Sequence, residues 1–315
     1  MKHITKHIVF LGALLLTSSG CTQKMPKITM PVQQDTGLLP ESEFTEINQD
    51  VKLFQADGYL YATGRGEGFG IWQLSSRTFY SGLNTLQTTT GGFNFLGTNP
   101  LSVGAIVKAG GILVISSGTG LTFIDVATNV SIPQVVGRLP QVSGQPVGPE
   151  FIWQSAVYDS STNQVYGFRG NQMFTLSMAS RTIVSTAAIP DLGCGRGATR
   201  FNNRIFVAGC SSLYELTNPN GAMRQITGIN AVDIVSTARF LYIHHKPLVN
   251  NSYEGIYVYD SNLASRLTML RKVGSLEPRS FAISPDDQFI YSNDVDANGR
   301  GVELNIYRIP WTNNF

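Results

Sequence analysis

Charged side chains are scarce in this chain: Asp, Glu, Lys and Arg make up 14% of its 315 residues, against roughly 25% in an ordinary globular domain. A surface with so little charge must be built from Ser, Thr, Asn, Gln and Gly, and 32 residues are Gly. The formal net charge of +2 includes Lys2 and Lys6, so losing a leader that contains them leaves a neutral chain. A neutral chain without a basic stripe has no long-range attraction for a polyphosphate, which excludes nucleic acid as a partner class. Histidine and cysteine are rarer still, at 4 and 3. No Cys/His group has metal-site spacing. Ser116-Ser117-Gly118 and Cys210-Ser211-Ser212 lack a nucleophile-elbow pattern. The glycines of residues 64–70 are wrongly spaced for a dinucleotide turn, and no helix follows them. Beyond the N-terminus no apolar run approaches the ~20 residues of a membrane-spanning helix.

The N-terminus has the one long apolar run. Lys2, His3, Lys6 and His7 precede residues 8–16, which give way to Thr17-Ser18-Ser19-Gly20-Cys21. Charge, length and small-residue exit fit an export signal. The exit resembles a bacterial lipoprotein cleavage box in which Cys21 becomes the acylated first residue. Ser18 stands where such a box usually has Leu, and Leu16 lies two residues upstream; an ordinary secretory cleavage site is the alternative reading. More than one acyl chain would give stable anchoring in membrane lipid. Thr22, in place of Asp, points by resemblance to Gram-negative lipoproteins to the outer membrane, facing the periplasm or the cell surface. The expected organisation is a signal peptide over 1–21 with lipidated Cys21, a flexible tether over 22–41 and a folded domain over 42–315.

That domain carries a recurring strand unit. Apolar cores at residues 60–62, 112–115, 165–168, 205–208, 241–243 and 289–291 return at intervals of roughly 35–55 residues, the range of blade repeats. A polar or Gly-rich turn and a second strand follow each core, as in Leu121-Thr122-Phe123-Ile124 and Ile256-Tyr257-Val258-Tyr259. One such sheet cannot bury both faces alone, so neighbours must stack into a ring. The expected fold is an all-β propeller of six blades, mostly of four antiparallel strands. The first strands are expected at 51–55, 103–108, 151–158, 197–200, 231–236 and 279–284. A seventh blade requires a degenerate unit hidden in residues 85–100. The sixth unit lacks an outer strand, and the alternating segment 43–47 is the expected N-terminal donor that completes it.

With Cys21 assigned to the anchor, Cys194 and Cys210 flank a hairpin whose turn is Phe201-Asn202-Asn203. Antiparallel partners keep a constant index sum, which places the two cysteines opposite each other or one residue off. An exported protein folds where thiols oxidise, so a disulfide is expected; two buried free thiols are the alternative.

Two stretches resemble known repeats. Residues 118–126, continued by Ile132-Pro133-Gln134-Val135-Val136-Gly137, resemble the LVIVD-type repeat of bacterial exported propellers. Phe281-Ala282-Ile283-Ser284-Pro285-Asp286-Asp287-Gln288-Phe289-Ile290-Tyr291 resembles the Ser-Pro-Asp-Gly hairpin of YVTN and lactonase-like propellers, with Asp287 where Gly is usual. The likeness spans most of residues 42–310 and concerns architecture. Pro285 presets a turn, and Asp286 is placed to accept backbone hydrogen bonds.

In a propeller the turn after each second strand shares a face with the connections between blades. The long connections at 65–68, 84–102, 141–150, 245–254 and 294–301 therefore converge, and function concentrates on long loops carried by a rigid scaffold. The candidate binding face comprises Arg65, Glu67, Phe93, Phe95, His244, His245, Lys246, Tyr253, Glu254 and Arg300. Drift in loops that cost little entropy to lengthen is the competing explanation. His244 and His245 are adjacent strand residues on opposite faces, a poor chelating pair, so one packed ring and one exposed ring are expected. Asp294, Asp296 and Asn298 open a calcium-like loop, but Val302 and Asn305 occupy its ninth and twelfth positions. An Asn-Gly hairpin turn explains the same residues without metal. No catalytic set emerges and no cofactor is expected apart from that calcium option. The functional expectation is a non-enzymatic, membrane-anchored scaffold for a protein or glycan partner. The alternatives are a lactonase-like hydrolase and an outer-membrane assembly lipoprotein that adds strands to its clients.

Overall fold

The second and third strands of each unit read as nearly unbroken apolar runs because neighbouring sheets cover both their faces. Residues 113–117 and 120–124 are buried without alternation, whereas the outermost strand at Thr182–Ala188 is largely exposed. The computed structural model describes residues 52–64, 68–75, 78–80, 103–117, 120–128, 133–139, 148–245, 255–260, 263, 266–270, 278–295 and 301–309. Blade one is β1 (Lys52–Ala56), β2 (Tyr59–Gly64), β3 (Gly68–Gln73) and β4 (Thr78–Tyr80); blade two is β5 (Val103–Ala109), β6 (Ile112–Ser117), β7 (Gly120–Asp125) and β8 (Gln134–Leu139). Blade three is β9 (Ser155–Asp159), β10 (Gln164–Arg169), β11 (Gln172–Ser177) and β12 (Thr182–Ala188); blade four is β13 (Ala198–Phe201), β14 (Arg204–Ala208), β15 (Leu213–Leu216) and β16 (Met223–Ile226). Blade five is β17 (Ala231–Ser236), β18 (Leu241–His245), β19 (Gly255–Tyr259) and β20 (Arg266–Leu270); blade six is β21 (Pro278–Ile283), β22 (Phe289–Val295) and β23 (Gly301–Arg308).

Each sheet is an antiparallel meander in chain order, and the first strands pack side by side in the sequence β1, β5, β9, β13, β17, β21 and back to β1. That contact order closes a six-bladed propeller. Because β1 packs directly on β5, a seventh blade between blades one and two is excluded. Each seam has its own apolar cluster, such as Tyr61, Ile71, Leu113 and Ile124 between blades one and two, or Phe206, Leu213, Ile234 and Ile243 between blades four and five. Fully burying one such side chain contributes about 1.5–3 kcal/mol. Among the described residues the sixth sheet has three strands; the expected donor at 43–47 lies outside them.

Two departures from the expected boundaries have local causes. The strand expected over 151–158 begins only at Ser155, after a 3-10 turn at Pro149–Phe151. Before it, Trp153 turns into the seam, where its ring lies against Gly167, and a Cβ there would sit 2.1 Å from the indole. Its backbone is held by Ser116, whose Oγ accepts from the Trp153 N–H at 2.6 Å and donates to the Phe151 carbonyl at 2.9 Å. The β13–β14 turn is the two residues Asn202 and Asn203, with φ of 49° and 60°, the left-handed pair of a type I′ hairpin. Phe201 instead pairs with Arg204. Outer strands β8 and β12 each carry a bulge, at Val136 and Val184, which are 38% and 53% exposed. Bulges twist an edge away from further pairing.

Candidate functional site

Antiparallel meanders put the start of each first strand and the end of each second strand at one end of the ring. The strand ends that flank the long connections lie at that end. The first strands, with Gly197 just before β13, give the lining in layers. The outer layer holds Lys52, Ala105, Ser155, Gly197, Asp233 and Ser280. The next is Leu53, Ile106, Ala156, Ala198, Ile234 and Phe281. Ser280 aside, both layers line one narrow cavity of about 80 Å³.

The outer layer is dominated by an ion pair across the axis. Lys52 Nζ donates to the Arg196 carbonyl at 2.6 Å and reaches both Asp233 carboxylate oxygens at 3.3 Å. Asp233 Oδ1 also accepts the Ile234 N–H at 2.9 Å, and the Asp233 side chain is only 2% exposed. Gly197 makes the fit possible, since a Cβ there would lie 2.2 Å from Asp233 Oδ1. The Leu53 N–H donates to Ser280 Oγ at 2.9 Å, joining blade one to blade six. The mouth is therefore floored by an acid and a base bonded to each other above an apolar belt. General acid–base catalysis uses a group free to exchange a proton; this pair supplies rigidity and compensated charge.

The predicted residues divide around this floor. His244 is buried and pairs across strands with Asp233. His245 corrects the expectation of an exposed ring: it is half-buried and stacked on Tyr257, with centroids 4.4 Å apart and planes 12° apart. Its register partner is Gly255, which leaves the diagonal Tyr257 within reach of the imidazole. Cys194 and Cys210 form a disulfide with Cα atoms 4.8 Å apart. It ties the connection that carries Arg196 to the β14–β15 turn, beside the Lys52 contact. Asp294 lies within β22 and pairs with Glu303 and Pro278. Cys21, Arg65, Glu67, Phe93, Phe95, Lys246, Tyr253, Glu254, Asp296, Asn298 and Arg300 lie outside the described residues.

Sequence reading missed Lys52 and Asp233. The available signal was Asp233 itself, a carboxylate inside the apolar strand Ala231-Val232-Asp233-Ile234-Val235. A buried charge of that kind requires a partner.

Elsewhere charge stabilises the scaffold. Glu215 accepts from Arg204 Nε and Nη2, both at 2.8 Å, and from Arg224. The hydrogen bonds from Arg204, with those from Arg224, outweigh burial and hold the Glu215 carboxyl down to about 2. Asp287 is buried at φ 60°, accepting from Tyr242 Oη at 2.8 Å and Arg239 Nε at 3.0 Å. Burial first, and then the Asp287 charge, push the Tyr242 phenol well above its ordinary range. The Asp that replaces Gly in the Ser-Pro-Asp-Gly pattern is thus an inter-blade anchor. As expected, Asp286 accepts a backbone N–H, that of Gln288, at 3.2 Å.

No protein-family profile and no curated protein sequence matches the chain. Solved structures do. A chain of the crystal structure of a mitotic checkpoint complex is 16% identical, with a TM-score of 0.51, over 83% of this chain and 74% of that one. The β-propeller domain of Myceliophteria thermophila Cps50 (Swd1) is 10% identical, with a TM-score of 0.46, over 83% of both chains. At such identity the likeness is one of fold alone, that of a β-propeller.

Proposed function

We propose that this protein is a membrane-tethered interaction propeller of the bacterial envelope, related to exported YVTN- and LVIVD-repeat propellers. Its partner, a protein or a glycan, docks on the mouth that holds Lys52 and Asp233 and on the long connections around it. The observation that carries this reading is the internally bonded floor. Lys52 and Asp233 are committed to each other and to backbone groups, an arrangement that favours a preorganised surface over proton transfer. The leader ending in Cys21 supports the tether, and the connections on this face supply the specificity.

The test is crosslinking from intact membranes, with the recovered partner then bound to purified protein. Stoichiometric binding that is lost on Glu254→Lys or Arg65→Glu, with the fold intact, is the expected result. Saturable turnover of a lactone panel, abolished by His244→Gln, would replace this reading with the hydrolase. For the anchor, labelled fatty acid should enter the wild-type chain and not Cys21→Ser.

A further inference from the structure

On the opposite face, where first strands turn into second strands, charge bridges several seams. Lys108 of blade two meets Asp57 of blade one. Arg200 of blade four lies 3.5 Å from Asp159 of blade three, and Arg239 of blade five lies 3.0 Å from Asp287 of blade six. The seam between blades six and one differs. It holds a cleft of about 370 Å³, within the range of roughly 300–1,000 Å³ typical of ligand sites. Blade one contributes Asp57, Tyr59 and Ser75, and blade six contributes Asp286, Phe289 and Tyr291.

The composition of that lining selects its occupant. It has two carboxylates and the rings of Phe289 and Tyr291, and no Lys or Arg is among the described lining residues. Lys108 offsets Asp57, but Asp286 is exposed and, among the described residues, its carboxylate is bonded through Oδ1 alone, to Gln288 N–H and to Ser284 Oγ at 2.5 Å. Its Oδ2 is available to accept. Aromatic faces beside a carboxylate with an open acceptor attract a cation with an apolar stem, through ring quadrupole and charge-assisted hydrogen bonding together. A neutral sugar would leave that charge unmatched. The cleft also exceeds the size of a small free amine, so it accommodates a side chain with its flanking backbone.

We propose that this cleft receives an arginine or lysine side chain from a protein partner, its stem against Phe289 and its charge on Asp286. This site is on the face opposite the channel mouth and stands independently of the function proposed above.

The test is amide chemical-shift titration of the ¹⁵N-labelled full chain in detergent. The probes are acetyl-Gly-Arg-Gly-amide, acetyl-Gly-Gln-Gly-amide and diacetylchitobiose. Saturable shifts at Gly58, Ser75 and Phe289 are expected with the arginine peptide. The glutamine peptide and the disaccharide should bind about five-fold or more weakly. Asp286→Asn, which keeps the Oδ1 contacts and hence the turn, and Phe289→Leu should each weaken the arginine peptide by a similar factor, with spectral dispersion confirming the fold. The proposal is overturned by the absence of saturable shifts, by an equal response to either neutral probe, or by an Asp286→Asn protein that titrates like wild type.

Discussion

Lys52→Met tests whether the ring is locked across its axis. The substitution removes the cation from a carboxylate that is 2% exposed and leaves Asp233 with the Ile234 N–H. One-sided loss of a buried pair costs about 3–5 kcal/mol; the 16% exposure of the Lys52 side chain lets water in and places the effect near 3. Asp233→Asn keeps the volume and the backbone acceptor, and Lys52 keeps the Arg196 carbonyl, so its cost is about 1–2 kcal/mol. In the double variant neither charge remains to be stranded, and the second change should add little to the first. A coupling of about 1 kcal/mol or more is therefore expected from guanidinium unfolding of the wild type, both single variants and the double variant. Thermal unfolding of Lys52→Met should fall by about 6 °C, at about 2 °C per kcal/mol for a domain of this size. Costs that add within about 0.5 kcal/mol would refute the reasoning, because residues in different blades couple only if the channel contact exists.

Glu215 ties the outer strands of blade four, and its carboxyl is held below its unfolded value of 4.5 at about 2. Its stabilisation is therefore present above pH 4.5 and lost as pH falls towards 2; Glu215→Gln should flatten that limb of a stability-against-pH curve, and an unchanged slope would contradict the cluster. The disulfide closes a separation of 16 residues and should contribute about 3 kcal/mol. Dithiothreitol should lower the unfolding midpoint of wild type but not of the Cys194→Ser, Cys210→Ser double variant. Asp287→Gly relieves a left-handed φ, a gain of about 1 kcal/mol, but strands the buried Tyr242 hydroxyl and the Arg239 contact, a loss of about 2–3. Net destabilisation of about 1–2 kcal/mol is expected by calorimetry, and a stabilised variant would remove Asp287 as the anchor.

The strands were legible because burial on both faces leaves a strong mark on sequence. In blades two, three and four, an apolar core, a short turn and a second apolar run could have formed nothing else of comparable burial. The disulfide was legible for a related reason: a constant index sum around Asn202 carries two residues to the same height whatever lies between. What the pattern hid was any exception within a strand. Trp153 stays out of the strand that follows it to fill space that only Gly167 leaves open, and no periodicity records a contact between residues in different strands.

The candidate site was less legible than the fold because different forces shape the two. Core positions answer to packing, which repeats from blade to blade, so six imperfect copies reinforce one another. Residues at the mouth answer to one another across the channel, and each blade contributes a different one: Lys52 from blade one, Asp233 from blade five, a carbonyl at Arg196 from the connection before blade four. Only the ring brings them together, across sequence separations of 144 and 181 residues. A charge embedded in an apolar strand is nonetheless an open question that composition alone can raise. Asp233 raised it, and its answer lay in the first residue of the first strand, where the chain enters the ring it will later close.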